Sequence, residues 1–328
     1  MYCQFYPTFI TKNLVQPIES YIDPDDTYWD YTSMNAFKWG GKYYGVAAKS
    51  NQDMGTIYYN KTLFENEGVE TPRSLWKKGN WNWDTFLDAS QKLTKKINNV
   101  QIWGFETPKN ANWMLSTGSD FVKYQNSKTA PIVQNLTDPN VLKGWQMRVD
   151  LVNKYKVSSN NQSAIADFVA GKVAMYGEQS WMMGLDSETN PLHAMTDYWD
   201  AVPWPNPKGF TKTQPTAGFV WCIPIHSKNQ QAGYYFIRWF TDPENGVQVK
   251  NINITEQKRA EIDEVRNAMM ATTNKTYDTT IGLFPLDEYW NLWSEINSSA
   301  DINATLNSWV PKANAFIEAV INEIPKPD

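Results

Sequence analysis

Residues 41–61 read GKYYGVAAKSNQDMGTIYYNK, in which two aromatic, strand-like segments flank a polar one. The flanking segments, GKYYGVAA and TIYYNK, are rich in residue types that favour strands. The segment between them, KSNQDMG, carries a single acid, Asp53. A buried core strand does not carry an unpaired charge at low cost, and an ordinary surface loop does not have such matched flanks. The position of Asp53 therefore needs another explanation.

The composition indicates a globular protein of about two domains. The chain has 328 residues, of which 41% are hydrophobic and 20% charged, a length that exceeds one typical core. The net charge is −5 and the pI about 5.3, with scattered basic residues, which argues against nucleic acid as a partner. No apolar run approaches the roughly 18 residues that span a bilayer.

Aromatic residues are unusually frequent, with 16 Trp, 17 Tyr and 14 Phe. Trp and Tyr combine a flat apolar face with a polar edge. A sugar ring has the complementary form, with an apolar C–H face and hydroxyl groups around its rim. We expect most of these rings to pack in the core or on the surface, and a minority to be available for stacking on a ligand.

The chain contains two cysteines, Cys3 and Cys222, and two histidines, His193 and His226. This is neither a disulfide scaffold nor a pattern of zinc ligands, so we predict no metal and no cofactor. Whether Cys3 and Cys222 pair across neighbouring strands is left open.

Short β-prone runs alternate with helical periods, which predicts an α/β architecture. Strands are expected at 56–59, 102–106 and 219–225, and a helix, a glycine turn and a strand within 164–177. Four helices are expected: one that ends at Gly68, one that begins at Asn82, one that follows the Asp138–Pro139 cap, and one that begins near Pro311. Between 225 and 246, a helix is predicted to pack through one face, formed by Ala232, Tyr235, Phe236, Trp239 and Phe240.

Several phrases resemble the extracellular solute-binding proteins of ABC importers, in particular the carbohydrate-binding group that includes the maltose-binding proteins. Each phrase alone is weak, but their order and spacing cover most of the chain. The phrases are WGGKYYGV (39–46), IYYNKTLFENEG (57–68), WDTFLDASQKLT (83–94), FVAGKVAMYGEQSW (168–181), AGFVWCIPIHSK (217–228) and AGYYFIRWFTDPENG (232–246).

The resemblance implies a two-lobed, periplasmic-binding-protein-like fold of type II. Its two α/β lobes are joined by crossing strands, and the hinge closes on a ligand in the central cleft. The implied N-terminal lobe comprises 1–50 and 218–248, and the C-terminal lobe 54–216 and 250–328, with crossings near 49–55 and 214–219.

Members of this family carry roughly 80–100 further residues, within the usual domain size range, ahead of the segment that MYCQFYPTF (1–9) resembles. We therefore expect the N-terminal lobe to be incomplete in this chain, with an export signal and a lipid anchor in the missing part. A naturally short form is the alternative.

The resemblance also offers an explanation for Asp53. KSNQDMG would be the first hinge crossing, at the floor of the cleft, and relatives have an acid at the matching position that contacts sugar hydroxyls. A carboxylate can accept two hydroxyl hydrogen bonds, which are stronger because they are charge-assisted. The alternative is a solvated hinge acid or an ion pair with Lys49.

Further ligand contacts are implied at matching positions. For each Trp, packing in the core is the alternative, and Tyr289 or Trp293 could replace Trp290 in the match. The implied ligand-binding residues besides Asp53 are the aromatic side chains of Trp113, Trp181, Trp221, Trp290 and Phe219, the amides of Gln52 and Asn112, and, near the N-terminus, Gln4 and Tyr6.

Together these features predict the extracytoplasmic substrate-binding protein of an ABC importer. It would bind a sugar or oligosaccharide and deliver it to the transmembrane permease subunits, as a monomer that is not an enzyme. Which sugar it binds is not predicted.

Three alternatives stay open. The same fold could bind a peptide, a polyamine or a metal complex, and a polyamine would need more cleft acids, for example Glu106 and Glu178 beside Asp53. A surface carbohydrate-binding module without a transporter is a second alternative. A glycoside hydrolase would need two carboxylates about 5–10 Å apart, but no spacing of acids in the sequence singles out such a pair.

Overall fold

Helices and strands alternate along the computed structural model of the chain. It describes residues 6–23, 25–36, 38–49, 52–125, 132–161, 163–184, 189–242, 244–245, 255–278 and 283–322. The strands are β1 Gln52–Asn60, β2 Lys95–Ile97, β3 Val100–Glu106, β4 Val122–Tyr124, β5 Ile132–Gln134, β6 Val173–Gln179, β7 Trp199–Pro203, β8 Gln214–Gly218 and β9 Lys275–Tyr277. The helices are α1 Tyr6–Thr11, α2 Tyr31–Ala36, α3 Lys61–Asn66, α4 Pro72–Lys77, α5 Trp83–Leu93, α6 Ala111–Leu115, α7 Pro139–Asn153, α8 Ile165–Val169, α9 Gln230–Thr241, α10 Glu256–Met270, α11 Leu286–Ser298 and α12 Ile302–Asn322.

Strand β1 is the centre of the main sheet, which has the order β2-β3-β6-β1-β8-β9, with β7 also paired to β1. All nine residues of β1 are buried. Its later part pairs antiparallel with β6 and β7, and its first three residues pair with β8. The strand therefore begins within the polar segment that the sequence marks as a joint, so Gln52 and Asp53 belong to a strand and not to a loop.

The two predicted crossing segments are hydrogen-bonded to each other. Gln52 lies opposite Gly218, and Asp53 lies opposite Ala217, in the antiparallel pair of β1 and β8. Strand β9 runs parallel to β8 on its other edge, with Tyr277 beside Thr216. The predicted segments thus form two adjacent strands of one sheet, and a third strand that was not predicted joins them.

Local predictions based on capping are confirmed. The Asp138 side chain accepts a hydrogen bond from the N–H of Asn140 and caps α7, with Pro139 as its first residue. The Asn82 side chain caps α5. Gly68, just after α3, has a φ of +63°, a left-handed conformation that favours glycine and ends a helix.

The strand predicted at 219–225 is wrong. This segment makes only isolated bridges, from Trp221 to Val46 and from Pro224 to Val15. Its two partners come from separate parts of the chain, so no continuous ladder forms. The strand lies earlier, in β8.

The predicted packing face of α9 is also wrong. Its buried residues are Tyr234, Ile237 and Thr241, whereas four large side chains of the predicted face are at least half exposed. Both faces have helical spacing and aromatic residues, so periodicity alone could not choose between them. The exposed residues are Tyr235, Phe236, Trp239 and Phe240.

Helix α12 begins at Ile302, earlier than the predicted start near Pro311, and holds Pro311 in its interior. A proline inside a helix removes one backbone hydrogen bond. Buried residues on both sides of Pro311, Leu306, Trp309, Ala313 and Ile317, keep the helix on one packed face. In the described part of the chain, none of the helices is long and apolar enough to cross a bilayer.

Candidate ligand-binding site

A cavity of about 720 Å³ opens beside the paired strands β1 and β8. Ligand pockets typically have volumes of roughly 300–1,000 Å³, so this cavity has room for a small organic ligand. The walls are formed by the starts or ends of several elements. They are the start of β1, the loop before α6 and α6 itself, the end of β6, the end of β8, the residue after β9, and α11. Each wall therefore comes from a different element, and the tertiary structure brings them together.

The register of the sheet arranges the floor of the cavity as one row of residues. Asp53 lies opposite Ala217 on β8. Because Thr216 lies beside Tyr277, extending this register by one residue puts Asp278 beside Ala217. Residues on one row of a sheet point to the same face, and Asp53, Ala217 and Asp278 all line the cavity.

Asp53 is held on this floor by hydrogen bonds from the segment that follows β6. Its Oδ1 accepts from the backbone N–H of Trp181 at 2.9 Å and from the Ser180 hydroxyl at 3.3 Å. Burial raises the pKa of Asp53 to about 7, and the nearby Glu178 adds to the rise, whereas the Trp181 N–H and Lys109 oppose it. Asp53 therefore changes its charge near neutral pH, which is unusual for an aspartate.

Two indole rings are exposed at the cavity. Trp181, in the 3-10 helix Ser180–Met183, and Trp290, on α11, are each 50% exposed, and both line the cavity. Trp290 packs against Tyr289 and Trp293, with ring centroids 5.1 and 5.6 Å apart. Both residues therefore combine solvent exposure with a place in the cavity lining, where an indole can meet an apolar ligand face.

Two buried amide groups also line the cavity. Asn112, on α6, is 2% exposed and Gln179, at the end of β6, is 6% exposed. Asn112 Nδ2 and Gln179 Oε1 have no hydrogen-bond partner among the described residues. Gly55 allows Asn112 to approach β1 so closely, because a Cβ atom at position 55 would lie 2.9 Å from Asn112 Nδ2.

The arrangement of these groups fits a polar ligand with apolar faces. Carboxylates and a carbonyl oxygen accept hydrogen bonds, an amide N–H donates one, and two indoles offer stacking surfaces. Among the described residues, no group of three or more His, Cys, Asp or Glu side chains could hold a metal ion.

A model of the family described as bacterial extracellular solute-binding protein matches residues 4–251. This chain belongs to that family. Its members are extracellular binding proteins, as the description states, and the family prediction made from the sequence phrases is confirmed.

Solved structures of solute-binding proteins share the fold at low sequence identity. An ABC transporter solute-binding protein from Thermotoga lettingae, bound with α-D-tagatose, matches with a TM-score of 0.70 at 17% identity, over 97% of this chain and 84% of that one. The cyclic α-maltosyl-1,6-maltose binding protein from Arthrobacter globiformis matches with 0.68 at 17% identity, over 98% and 83%. UgpB from Mycobacterium tuberculosis, in complex with glycerophosphocholine, matches with 0.71 at 13% identity, over 98% and 83%. The predicted two-lobed α/β fold is confirmed.

In this solute-binding protein, four of the predicted ligand residues lie together at the cavity. They are Asp53, Asn112, Trp181 and Trp290. Tyr289 and Trp293, the alternatives to Trp290, line the same wall.

The structure does not place Trp113 where the sequence predicted it, at the ligand site. Its side chain is fully buried and does not line the cavity. Its ring packs against those of Phe86, Trp83 and Trp204, with centroids 4.9, 5.7 and 5.1 Å away. The side chain of Asn112, its neighbour on α6, takes the cavity position instead.

The predicted contacts on the crossing segments also lie away from the cavity lining. Trp221 packs against Phe240, with ring centroids 5.1 Å apart, and Phe219 is half-buried. Gln52 donates a hydrogen bond to the Ala48 carbonyl and accepts one from Ser33, so its amide is hydrogen-bonded within the protein.

Two predicted contacts near the N-terminus cannot be placed. Gln4 and Cys3 lie outside the described residues, and Tyr6 is described only as the first residue of α1. The pairing of Cys3 with Cys222 is therefore untested.

Sequence reasoning missed Asp278, Gln179 and Lys109, which all line the cavity. Gln179 stands two residues before Trp181 in a phrase that was already singled out, so alternation along β6 could have pointed to it. Asp278 had no such signal, because the parallel pairing of β9 with β8 is not visible in the sequence.

Proposed function

We propose that this chain is the substrate-binding protein of an ABC importer and binds a sugar or oligosaccharide in the cavity. The observation that supports this most is the combination of two half-exposed indoles, Trp181 and Trp290, with the carboxylate of Asp53 on the cavity floor. Indole faces match the C–H faces of a pyranose, and the carboxylate matches its hydroxyl rim.

Two of the three structural neighbours named above support the same ligand class, whereas UgpB is in complex with glycerophosphocholine. The proteins from Thermotoga lettingae and Arthrobacter globiformis are described with a sugar or as binding one. Likeness at this identity concerns the fold, so the ligand class of this chain rests on its own cavity residues together with those relatives.

The mechanism would be binding and closure without covalent chemistry. We propose the lobes as 1–50 with 218–248, and 54–216 with 250–328, joined through the strands around Asp53 and Ala217. A ligand favours the closed state only if it makes contacts there that the open state lacks. The closed form would then dock on the membrane permease outside the cytoplasm, as a monomer tethered by a lipid anchor.

A polyamine is the second candidate, because a second acid, Asp278, lines the cavity with Asp53. Cations also bind to aromatic faces. However, Glu106 does not line the cavity, and its carboxylate accepts hydrogen bonds from Ser158 and Ser159. Lys109 adds a positive charge to the lining and pairs with Glu178, which opposes a polycation.

A glycoside hydrolase is less consistent with the comparisons. The family that matches this chain is described as solute-binding protein, and the structural neighbours named above are solute-binding or sugar-binding proteins. We therefore propose that the protein is not an enzyme.

The test is a titration of intrinsic tryptophan fluorescence with monosaccharides, oligosaccharides, a polyamine and a peptide mixture, with product analysis in parallel. A saturable change with one sugar class and no product would support the proposal. A response to the polyamine alone would replace sugar by amine as the ligand, and accumulation of a cleaved product would establish an enzyme.

A further inference from the structure

Asp278 occupies a position on the cavity floor that mirrors that of Asp53. Asp53 pairs with Ala217 across β1 and β8. Asp278 directly follows β9, one residue beyond the pair of Thr216 with Tyr277, so extending that register puts Ala217 between the two acids. All three residues line the cavity. Two strand spacings separate the Cα atoms of the two acids by about 10 Å. Both acids are 8% exposed, so each is largely buried although it lines the cavity.

We propose that Asp278 is a second ligand-binding carboxylate, and that Asp53 and Asp278 hold one sugar ring between them, above Ala217. This inference rests on the proposed function and goes further, because it assigns a specificity role to a residue with no sequence signal. It also defines a central subsite within a larger cavity.

The distances agree with a single ring. A hydrogen bond between oxygens takes up about 2.7 Å at each end, which leaves roughly 5 Å between the two bound hydroxyl oxygens. With covalent bonds of about 1.5 Å, oxygens on opposite sides of a six-membered ring lie roughly 5–6 Å apart. The small side chain of Ala217 leaves the space above the floor open for such a ring.

The neighbouring amides indicate a hydroxyl-bearing ligand. Asn112 Nδ2, a donor, and Gln179 Oε1, an acceptor, are buried, line the same cavity and have no partner among the described residues. An unsatisfied buried polar atom costs roughly 1–3 kcal/mol. A hydroxyl group can satisfy either one, since it both donates and accepts, whereas an ammonium group could satisfy only the acceptor.

Asp278 also has a structural contact that must be separated from ligand binding. Its Oδ2 accepts a hydrogen bond from the Tyr289 hydroxyl at 3.2 Å, and Tyr289 is buried on α11 beside Trp290. If Asp278 only positioned Tyr289, removing that hydroxyl would have the same effect as changing Asp278.

The experiment measures calorimetric affinity for the best-binding sugar in four proteins: wild type, Asp278→Asn, Tyr289→Phe and Asp287→Asn. Asp287 is an exposed acid in the first turn of α11, so its change controls for a loss of charge near the cavity. We expect at least tenfold weaker binding for Asp278→Asn, less than threefold for Tyr289→Phe, and no change for Asp287→Asn. Equal losses for Asp278→Asn and Tyr289→Phe, or no loss for Asp278→Asn, would overturn the inference.

A second variant tests the ring position without touching either acid. Ala217→Val adds two methyl groups above the floor and retains a residue type that favours strands. Its melting temperature should stay near that of the wild type, while affinity falls at least tenfold. Normal binding by this variant would place the ring elsewhere and refute the subsite. If the wild type binds no sugar, the proposed function fails too; if it binds sugar and the variants do as well, only this inference fails.

Discussion

The backbone N–H of Trp181 donates a hydrogen bond to Oδ1 of Asp53, with 2.9 Å between the two atoms. This bond connects an acid near the start of β1 to the residue whose indole is half exposed at the cavity. Because the donor is the backbone, a change of the indole leaves the bond possible. The acid and the ring can therefore be tested separately by substitution.

Replacing Asp53 should change the pH dependence of stability. Burial raises the pKa of Asp53 to about 7, so between pH 4 and 7 the folded state holds a proton that the unfolded state has released. Ionising the buried carboxyl costs free energy only in the folded state. The folded state is therefore at its most stable, with respect to this group, below the unfolded pKa, and it loses stability as pH rises through 7. Thermal melts should show Asp53→Asn more stable than wild type at pH 8, with the difference vanishing near pH 4. A constant difference across this range would contradict the raised pKa.

Ligand affinity should have the opposite pH dependence. The ionised carboxylate is the stronger hydroxyl acceptor, so sugar affinity of the wild type should rise between pH 5.5 and 8. Asp53→Asn should bind at least tenfold more weakly at pH 8, which is about 1.4 kcal/mol, and should lose the pH dependence. Titrations at four pH values provide the measurement, and the exposed Asp287→Asn serves as the control that should follow the wild type.

The two cavity indoles should contribute to binding and little to stability. Trp181→Ala and Trp290→Ala each remove a half-exposed stacking surface, so each should weaken sugar binding about tenfold or more while the melting temperature changes little. Trp239→Ala is the matched control, because Trp239 is 55% exposed on α9 and does not line the cavity. A similar loss of affinity in the Trp239 variant would show that the effect is not local to the cavity.

Trp113→Ala should act on stability. The ring is fully buried among four aromatic neighbours, and truncation of such a residue costs about 3–5 kcal/mol. Denaturant unfolding should therefore show a large loss of stability. A variant with wild-type stability and weakened binding would restore Trp113 as a ligand residue.

A buried ion pair between β9 and the start of α2 should also be critical for stability. Lys275 Nζ, on β9, lies 2.8 Å from Asp30 Oδ2, just before α2, and both side chains are almost fully buried. Lys275→Met would leave the acid buried without its cation, which costs about 3–5 kcal/mol. Unfolding measurements should show this loss, and Lys92→Met, which breaks an exposed pair with Asp88, should change stability by less than about 1 kcal/mol. If the two variants lose equal amounts, burial does not strengthen the pair.

The predictions that came from the sequence differ in outcome for identifiable reasons. The cap of α7 at Asp138 is local, because its hydrogen bond joins residues only two apart in sequence, Asp138 and Asn140. Helix α9 has two aromatic faces, and the one that packs against the rest of the protein is buried. Tyr234 lies on the buried face, where the Trp29 Nε1–H donates a hydrogen bond to the Tyr234 hydroxyl at 2.9 Å. Trp113 and Asn112 are neighbours on α6, and only packing decides which of them faces the cavity.

The sequence by itself determined the family and the alternation of helices and strands, and it singled out Asp53. The helices and strands depend on the spacing of residues close in sequence, and the family is indicated by short sequence phrases that occur in the same order along the chain. Only the tertiary structure decided that Asp278 shares the floor with Asp53. The two acids are far apart in sequence, and the strand pairings of β1 with β8 and β8 with β9 depend on backbone hydrogen bonds, which carry no side-chain signature.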